Sequence, residues 1–158
     1  MKFNEYELVL TKDKLNLHVK QKFNEPIEYI DDMIGFVLKQ YNLLSSAIEK
    51  FFAVSYDCEG NINGIMQVGT GDYKTVDFNF NSIFKFLLLN NAFGCILIHN
   101  HLTTLTPSNN DYDFHYMAKQ LCTTLNIDFL ANLILCGKNE YYNILTDKKE
   151  KLIYEWKN

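Results

Sequence analysis

Apolar and polar residues alternate over residues 6–10 and again over 15–19, with Lys12-Asp13-Lys14 between them. A period of two marks half-buried strands, so the opening segment is expected to be a β-hairpin. Pro26 suits the first turn of a helix, and Ile30, Met33, Ile34, Val37, Leu38 and Tyr41 then recur at helical spacing. That stripe predicts a helix opened by Pro26 with one buried face. Residues 51–57 read as a strand, Cys58-Glu59-Gly60-Asn61 as a turn and 62–68 as the return strand, which Gly69-Thr70-Gly71 is expected to break. Asn81-Ser82 can cap a second helix running to about residue 91. The run GCILI at 94–98 has no polar member, the mark of a strand covered on both faces. Residues 99–110 are polar and turn-rich. A third helix is expected from about 110 to 125, a buried strand over 127–136, a turn at 137–139, a last strand over 141–145 and a short helix in the tail to Trp156.

After residue 26 helices alternate with strands, which predicts an α/β fold with a layered sheet flanked by helices. The first 25 residues stand apart as a hairpin extension, and 26–158 form one domain. A hydrophobic fraction of 47% and an aromatic fraction of 15% can build a core without disulfides. Two roles stay open for the hairpin: extending the sheet, or self-association into a homodimer.

Charge and cysteines narrow the function classes. Fifteen basic residues face nineteen acidic ones, for a net charge of −4. Nucleic-acid affinity comes mostly from Lys and Arg on phosphates, so this balance argues against a strong nucleic-acid groove and leaves only a local patch open. Cys58, Cys95, Cys122 and Cys136 form no C-x-x-C pair, and Cys95 and Cys136 sit in apolar runs. A reduced, cytoplasmic protein is the expectation, with no signal peptide in MKFNEYELVL and no apolar run able to cross a membrane.

The chemistry concentrates in GCILIHNHLTTLTPSNND, residues 94–111. Alternate side chains of a strand share a face, so His99 and His101 point the same way as the strand ends. Their ring nitrogens can meet one ion at about 2.0–2.1 Å. Asp111 opens the next helix and can fold back as a third ligand. Two histidines and a carboxylate leave one tetrahedral position open, as catalytic zinc sites do. Ser108-x-x-Asp111 also matches a helix capping box, a reading compatible with a ligand role. His115, one turn after Asp111, could orient or replace a ligand but reads first as a partly exposed helix residue. Asp113 lacks the S-x-x-D spacing, and His18 belongs to the hairpin. No nucleophile motif or phosphate loop is present.

The order of these residues resembles the RadC-like branch of the JAB/MPN metalloprotease family, which has a cytidine-deaminase-like layered sheet. That branch carries H-N-H-P-S-G-D-x-x-P-S-x-x-D after a buried strand. Here His99-Asn100-His101 is followed by a five-residue LTTLT stretch and by Pro107-Ser108-Asn109-Asn110-Asp111. The segment EKFFAV at 49–54 is similar to the family's E-x-F-x-V, Gly60-Asn61 to its turn, and Val68-Gly69-Thr70-Gly71 to its Gly-Thr segment. Residues 127–137 and Tyr141-Tyr142 are similar to its last strands, so the likeness runs from about 45 to 146. It implies Zn²⁺ on His99, His101 and Asp111, Glu49 as general base, and Ser108 steadying the water or the oxyanion. The implied activity is hydrolysis of a peptide or isopeptide-like amide in a peptide or protein substrate. The sequence departs from the pattern at Leu102 (family proline), in a shorter loop without Ser-Gly-Asp, at Ala131-Asn132 (family Asp-His) and at Gln67-Val68 (family serine). These departures keep an inactive adaptor in view. A DNA-associated role is the third reading; the acidic balance and the lack of room for the family's helix-hairpin-helix region argue against it.

Overall fold

A computed structural model describes residues 1–71 and 76–154. Its strands are β1 (Lys2–Thr11), β2 (Lys14–Asn24), β3 (Glu49–Tyr56), β4 (Ile62–Gly71), β5 (Val76–Phe78), β6 (Gly94–Asn100), β7 (Asp128–Leu135), β8 (Glu140–Asn143) and β9 (Lys148–Lys151). The helices are α1 (Ile30–Gln40), α2 (Phe80–Leu89) and α3 (Asn109–Leu125). Among the described residues the nine strands form one sheet in the order β2-β1-β4-β3-β6-β7-β8-β9, with β5 paired to β4. This is the mixed α/β layering that the alternation of patterns predicts.

The faces of the sheet follow from the two-residue period. Ile96 and Ile98 of β6 join Phe52 and Val54 of β3 under α1, where Met33, Ile34, Val37 and Leu38 are buried. Cys95 and Leu97 point the other way and join Phe51 and Ala53 under α2 and α3, with Phe86, Leu87, Phe114 and Ala118. A strand with apolar layers on both sides loses its polar alternation, hence the unbroken GCILI run. Truncating one of these Ile or Leu side chains to Ala costs about 2–5 kcal/mol. β6 and β7 are parallel neighbours joined through α3, a strand–helix–strand crossover.

The hairpin continues the same sheet. β1 pairs in parallel with β4 at Asn4↔Gly64 and Glu5↔Ile65. Phe3 and Phe23 pack their rings on Phe36 of α1 at centroid distances of 5.3 and 4.9 Å.

Several expected boundaries move. α1 opens at Ile30 rather than at Pro26, because the Asp32 carboxylate accepts the backbone N–H groups of Glu28 and Tyr29 at 2.9 and 3.0 Å and sets the cap there. Gly69-Thr70-Gly71 does not break its strand: these residues pair with Phe51, Lys50 and Glu49 on one side and with β5 on the other. Asn79, not Asn81-Ser82, caps α2, its side chain accepting the Asn81 N–H at 2.9 Å. His99 and Asn100 belong to β6 rather than to the following loop. The tail is not helical over 148–151: β9 pairs antiparallel with β8, and Lys149 reaches Glu140 at 3.2 Å. Trp156, where the tail helix was expected to end, lies outside the described residues. No helix among the described residues is long and apolar enough to cross a membrane.

Candidate metal centre

β6 delivers His99 on the face it shares with Cys95 and Leu97, 1% exposed and with the Phe51 ring stacked on it at 4.6 Å. His101 follows the strand end, where its backbone N–H donates to the Leu135 carbonyl at 2.9 Å. The chain then turns, and the His101 Nδ1–H meets the Thr104 carbonyl at 3.0 Å. A carbonyl can only accept, so this contact fixes the proton on Nδ1 and leaves a lone pair on Nε2 in the neutral ring.

α3 supplies the third group. Ser108 caps the helix, its Oγ accepting the Asp111 N–H at 3.2 Å. The Ser108 N–H and hydroxyl both donate to Asp111 Oδ2, at 2.6 and 2.7 Å. The capping box read in S-x-x-D is thus present, and it aims the carboxylate back at β6. Asp111 Oδ1 lies 3.2 Å from His99 Nε2, Oδ2 lies 3.3 Å from His101 Nε2, and the two Nε2 atoms are 3.1 Å apart. One ligand atom from each residue falls within 4.8 Å of the others. Two imidazole nitrogens and a carboxylate facing one another in a nearly closed site are a donor set that suits a divalent cation.

Electrostatics agrees with that geometry. Burial holds His99 below the usual imidazole range, with Asp111 partly offsetting it. Burial pulls His101 down too, but the hydrogen bond and charge of Asp111, and then the charge of Glu49, outweigh it and raise His101 above the usual imidazole range. Burial opposes ionisation of Asp111, yet the hydrogen bonds from His101 and His99 and the Ser108 amide hold it far below the carboxylate range. The carboxylate is therefore ionised and ready to ligate at neutral pH.

Glu49 reaches the site from a different part of the chain. β3 and β6 pair as far as Phe51 opposite His99, which brings Glu49, the first residue of β3, to the end of the strand pair that His101 follows. Glu49 is 9% exposed, and its charge is felt at His101. Asn100, the middle residue of the His-x-His motif, holds the chain on both sides of it. The Asn100 side chain accepts the Lys50 N–H at 2.8 Å and donates to the Ile48 carbonyl at 3.2 Å, gripping the backbone on both sides of Glu49. Its signal in the sequence is its place as the middle residue of His-x-His, which sends it to the opposite face from the histidines.

The other candidates sort clearly. His115 is buried, not partly exposed: α3 turns it toward β7, where the Asn132 amide approaches its Nδ1 at 3.4 Å. It lies outside the metal group. Asp113 is exposed, and His18 pairs with Glu7 on the hairpin at 3.1 Å. Ala131 and Asn132 are fully buried, and Asn132 Oδ1 has no hydrogen-bond partner among the described residues. A cleft of about 280 Å³ opens beside the loop after His101, between Thr104, Thr106, Pro107, Tyr112, Tyr142 and Lys149.

A mixed sheet with a strand–loop–helix stretch that gathers two histidines and an aspartate defines a JAB-type domain with a group able to bind a metal ion. The family model for the RadC-like JAB domain matches residues 27–151, and the chain belongs to that family. It is 27% identical over 128 residues to a UPF0758 protein of Chlorobium phaeovibrioides, covering 80% of this chain and 56% of the relative. It is 31% identical over 96 residues to the UPF0758 protein SUB0843 of Streptococcus uberis, covering 60% of this chain and 42% of the relative. The chain thus matches about half the length of these curated relatives.

Proposed function

We propose that this chain is a zinc-dependent hydrolase that cleaves a peptide or isopeptide-like amide. The observation that carries the reading is the gathering of the His99, His101 and Asp111 donors within 4.8 Å, with the buried Glu49 near enough for its charge to act on His101. Zinc held by such a set would supply Lewis-acid charge, acidifying water toward neutrality and polarising a carbonyl. Glu49 is the chain's base: its carboxylate takes a proton and returns it to the leaving amine nitrogen. Asn100 acts on Glu49 through the backbone. Ser108 spends its hydroxyl hydrogen on Asp111 Oδ2 and so acts first by orienting that ligand. The cleft of about 280 Å³ beside Tyr112 and Tyr142 would give part of a substrate somewhere to sit.

Elemental analysis of the purified protein and of the His99→Ala/His101→Ala double variant tests the metal. A stoichiometric ion lost in the variant supports it; equal zinc in both ends it. Turnover of peptide and isopeptide libraries then tests the chemistry. Glu49→Gln should keep its zinc while losing about 10²–10⁴-fold in rate. The second reading, an adaptor that keeps the metal, draws on Leu102, Ala131 and Asn132, where this chain departs from the family pattern. A zinc-loaded wild type that turns over none of these substrates would favour it.

A further inference from the structure

Cys95 and Cys122 meet on the same two elements that carry the candidate ligands. Cys95 lies on β6 on the His99 face, and Cys122 lies on α3, about three turns beyond Asp111. Their sulfurs are 3.8 Å apart, and neither residue is more than 1% exposed. His99 touches Asp111 toward one end of the β6–α3 contact, and Cys95 touches Cys122 toward the other. We propose that Cys95 and Cys122 form a reversible disulfide that staples α3 to β6 and closes a loop containing His99, His101 and Asp111.

A disulfide needs its sulfurs at about 2.05 Å, so the approach required from the present contact is roughly 1.8 Å. Side-chain rotation and a small slide of the helix can share that distance. The Cys95 thiol hydrogen bond holds Cys122 below the usual thiol range and pushes Cys95 above it, so Cys122 is the sulfur that ionises first. Thiolate is the reactive form. The other two cysteines, Cys58 and Cys136, are exposed and half-buried free thiols that serve as internal references.

The oxidant is hydrogen peroxide, small enough to enter through side-chain fluctuations. The Cys122 thiolate attacks one peroxide oxygen, the O–O bond breaks, and a sulfenic acid and hydroxide result. Cys95 sulfur then attacks the sulfenic sulfur, the S–S bond forms and the S–O bond breaks. The departing hydroxide takes the Cys95 proton and leaves as water. In sum two thiols lose two electrons and two protons, and peroxide becomes two waters. The cross-link joins positions 27 residues apart in sequence and removes that loop's freedom from the unfolded chain. All three candidate ligands lie within it, so the oxidised form should also release a bound ion more slowly to a chelator.

The test is peroxide treatment of the full chain, metal-free and zinc-loaded, followed by alkylation in denaturant and peptide mass mapping. The expected product is a linked pair of peptides carrying Cys95 and Cys122, a Tm raised by about 5–10 °C, and reversal of both by dithiothreitol. Cys122→Ala should abolish the link and the shift. Should that variant not fold, Cys58→Ser with Cys136→Ser retains only the pair and must still give the linked peptides. Recovery of Cys95 and Cys122 on separate alkylated peptides after Cys58 has oxidised would overturn the proposal, as would their conversion to sulfinic acids. The link is read without any metal. A linked peptide in a protein that binds no zinc would remove the hydrolase reading and leave the staple standing.

Discussion

Asp111 is asked to do two things at once. Its Oδ2 closes the cap at Ser108 while the same carboxylate faces both histidines. Ser108→Ala removes the hydroxyl that donates to Oδ2 and accepts the Asp111 N–H. A lost helix cap costs about 1 kcal/mol, and a lost partner of a metal ligand commonly costs 10–100-fold in affinity. Denaturant titration of the metal-free protein and zinc competition with a chelator should show those two losses together. Protons compete with the ion in a direction the site fixes. His101 is raised above 6.5, and a histidine must be neutral to ligate, so zinc affinity should fall as pH drops through the value that His101 has in the folded protein. In the metal-free protein the signs differ by group. Asp111 is depressed, so its stabilisation is complete above the ordinary carboxylate range and is lost as pH falls through its folded value. His101 is raised, so its stabilisation is complete below 6.5 and fades as pH rises through its folded value. Thermal melts of chelated protein from acid to mild base should therefore show lability at the acid end and a smaller loss above neutrality.

At the scale of elements the site depends on how β3 is seated against β6. Asn100→Ala removes one buried acceptor and one buried donor at Lys50 and Ile48. Each of these part-buried hydrogen bonds contributes about 0.5–1.5 kcal/mol. The variant should keep its zinc, because no ligand is touched, and lose turnover as Glu49 loosens; zinc content and rate measured on one preparation separate the two. Gly94→Ala tests the start of the same strand. An added Cβ would run into the Tyr56 ring and stand 2.7 Å from the Asp128 carbonyl. Neither neighbour is free to give, since Tyr56 is hydrogen-bonded to Asp128. Overpacking of this kind costs about 1–3 kcal/mol, read as a lower denaturant midpoint. These elements also show what a sequence discloses. The period-two and helical stripes revealed most strands and the three helices, and the contiguous motif revealed His99, His101 and Asp111. Asn100 stayed hidden because its partners sit 50 and 52 residues away across the sheet. Glu49 was named only through resemblance, since its approach to His101 is a matter of strand register. β5 has three residues and β9 is wholly charged, so neither carries an apolar period to be read.

At the scale of the molecule the hairpin is the element whose removal says most. Phe3 and Phe23 pack with Phe36 beneath the sheet, and β1 shields the edge of β4. Deleting residues 1–25 should strip one layer of its aromatic cluster, expose an unpaired strand edge and give a chain that aggregates or unfolds without cooperativity. Calorimetry and size-exclusion chromatography of the truncated chain would check this. The placement of the candidate ligands has a last consequence for how the protein matures. His99, His101 and Asp111 sit on one short stretch of chain, whereas Glu49 arrives from half a hundred residues upstream. Contacts near in sequence form cheaply and early, and distant ones wait for the whole topology. On the proposed reading, a nascent copy would gather its three candidate ligands before Glu49 arrives, so zinc uptake should precede turnover during refolding, which a stopped refolding reaction assayed for both would check.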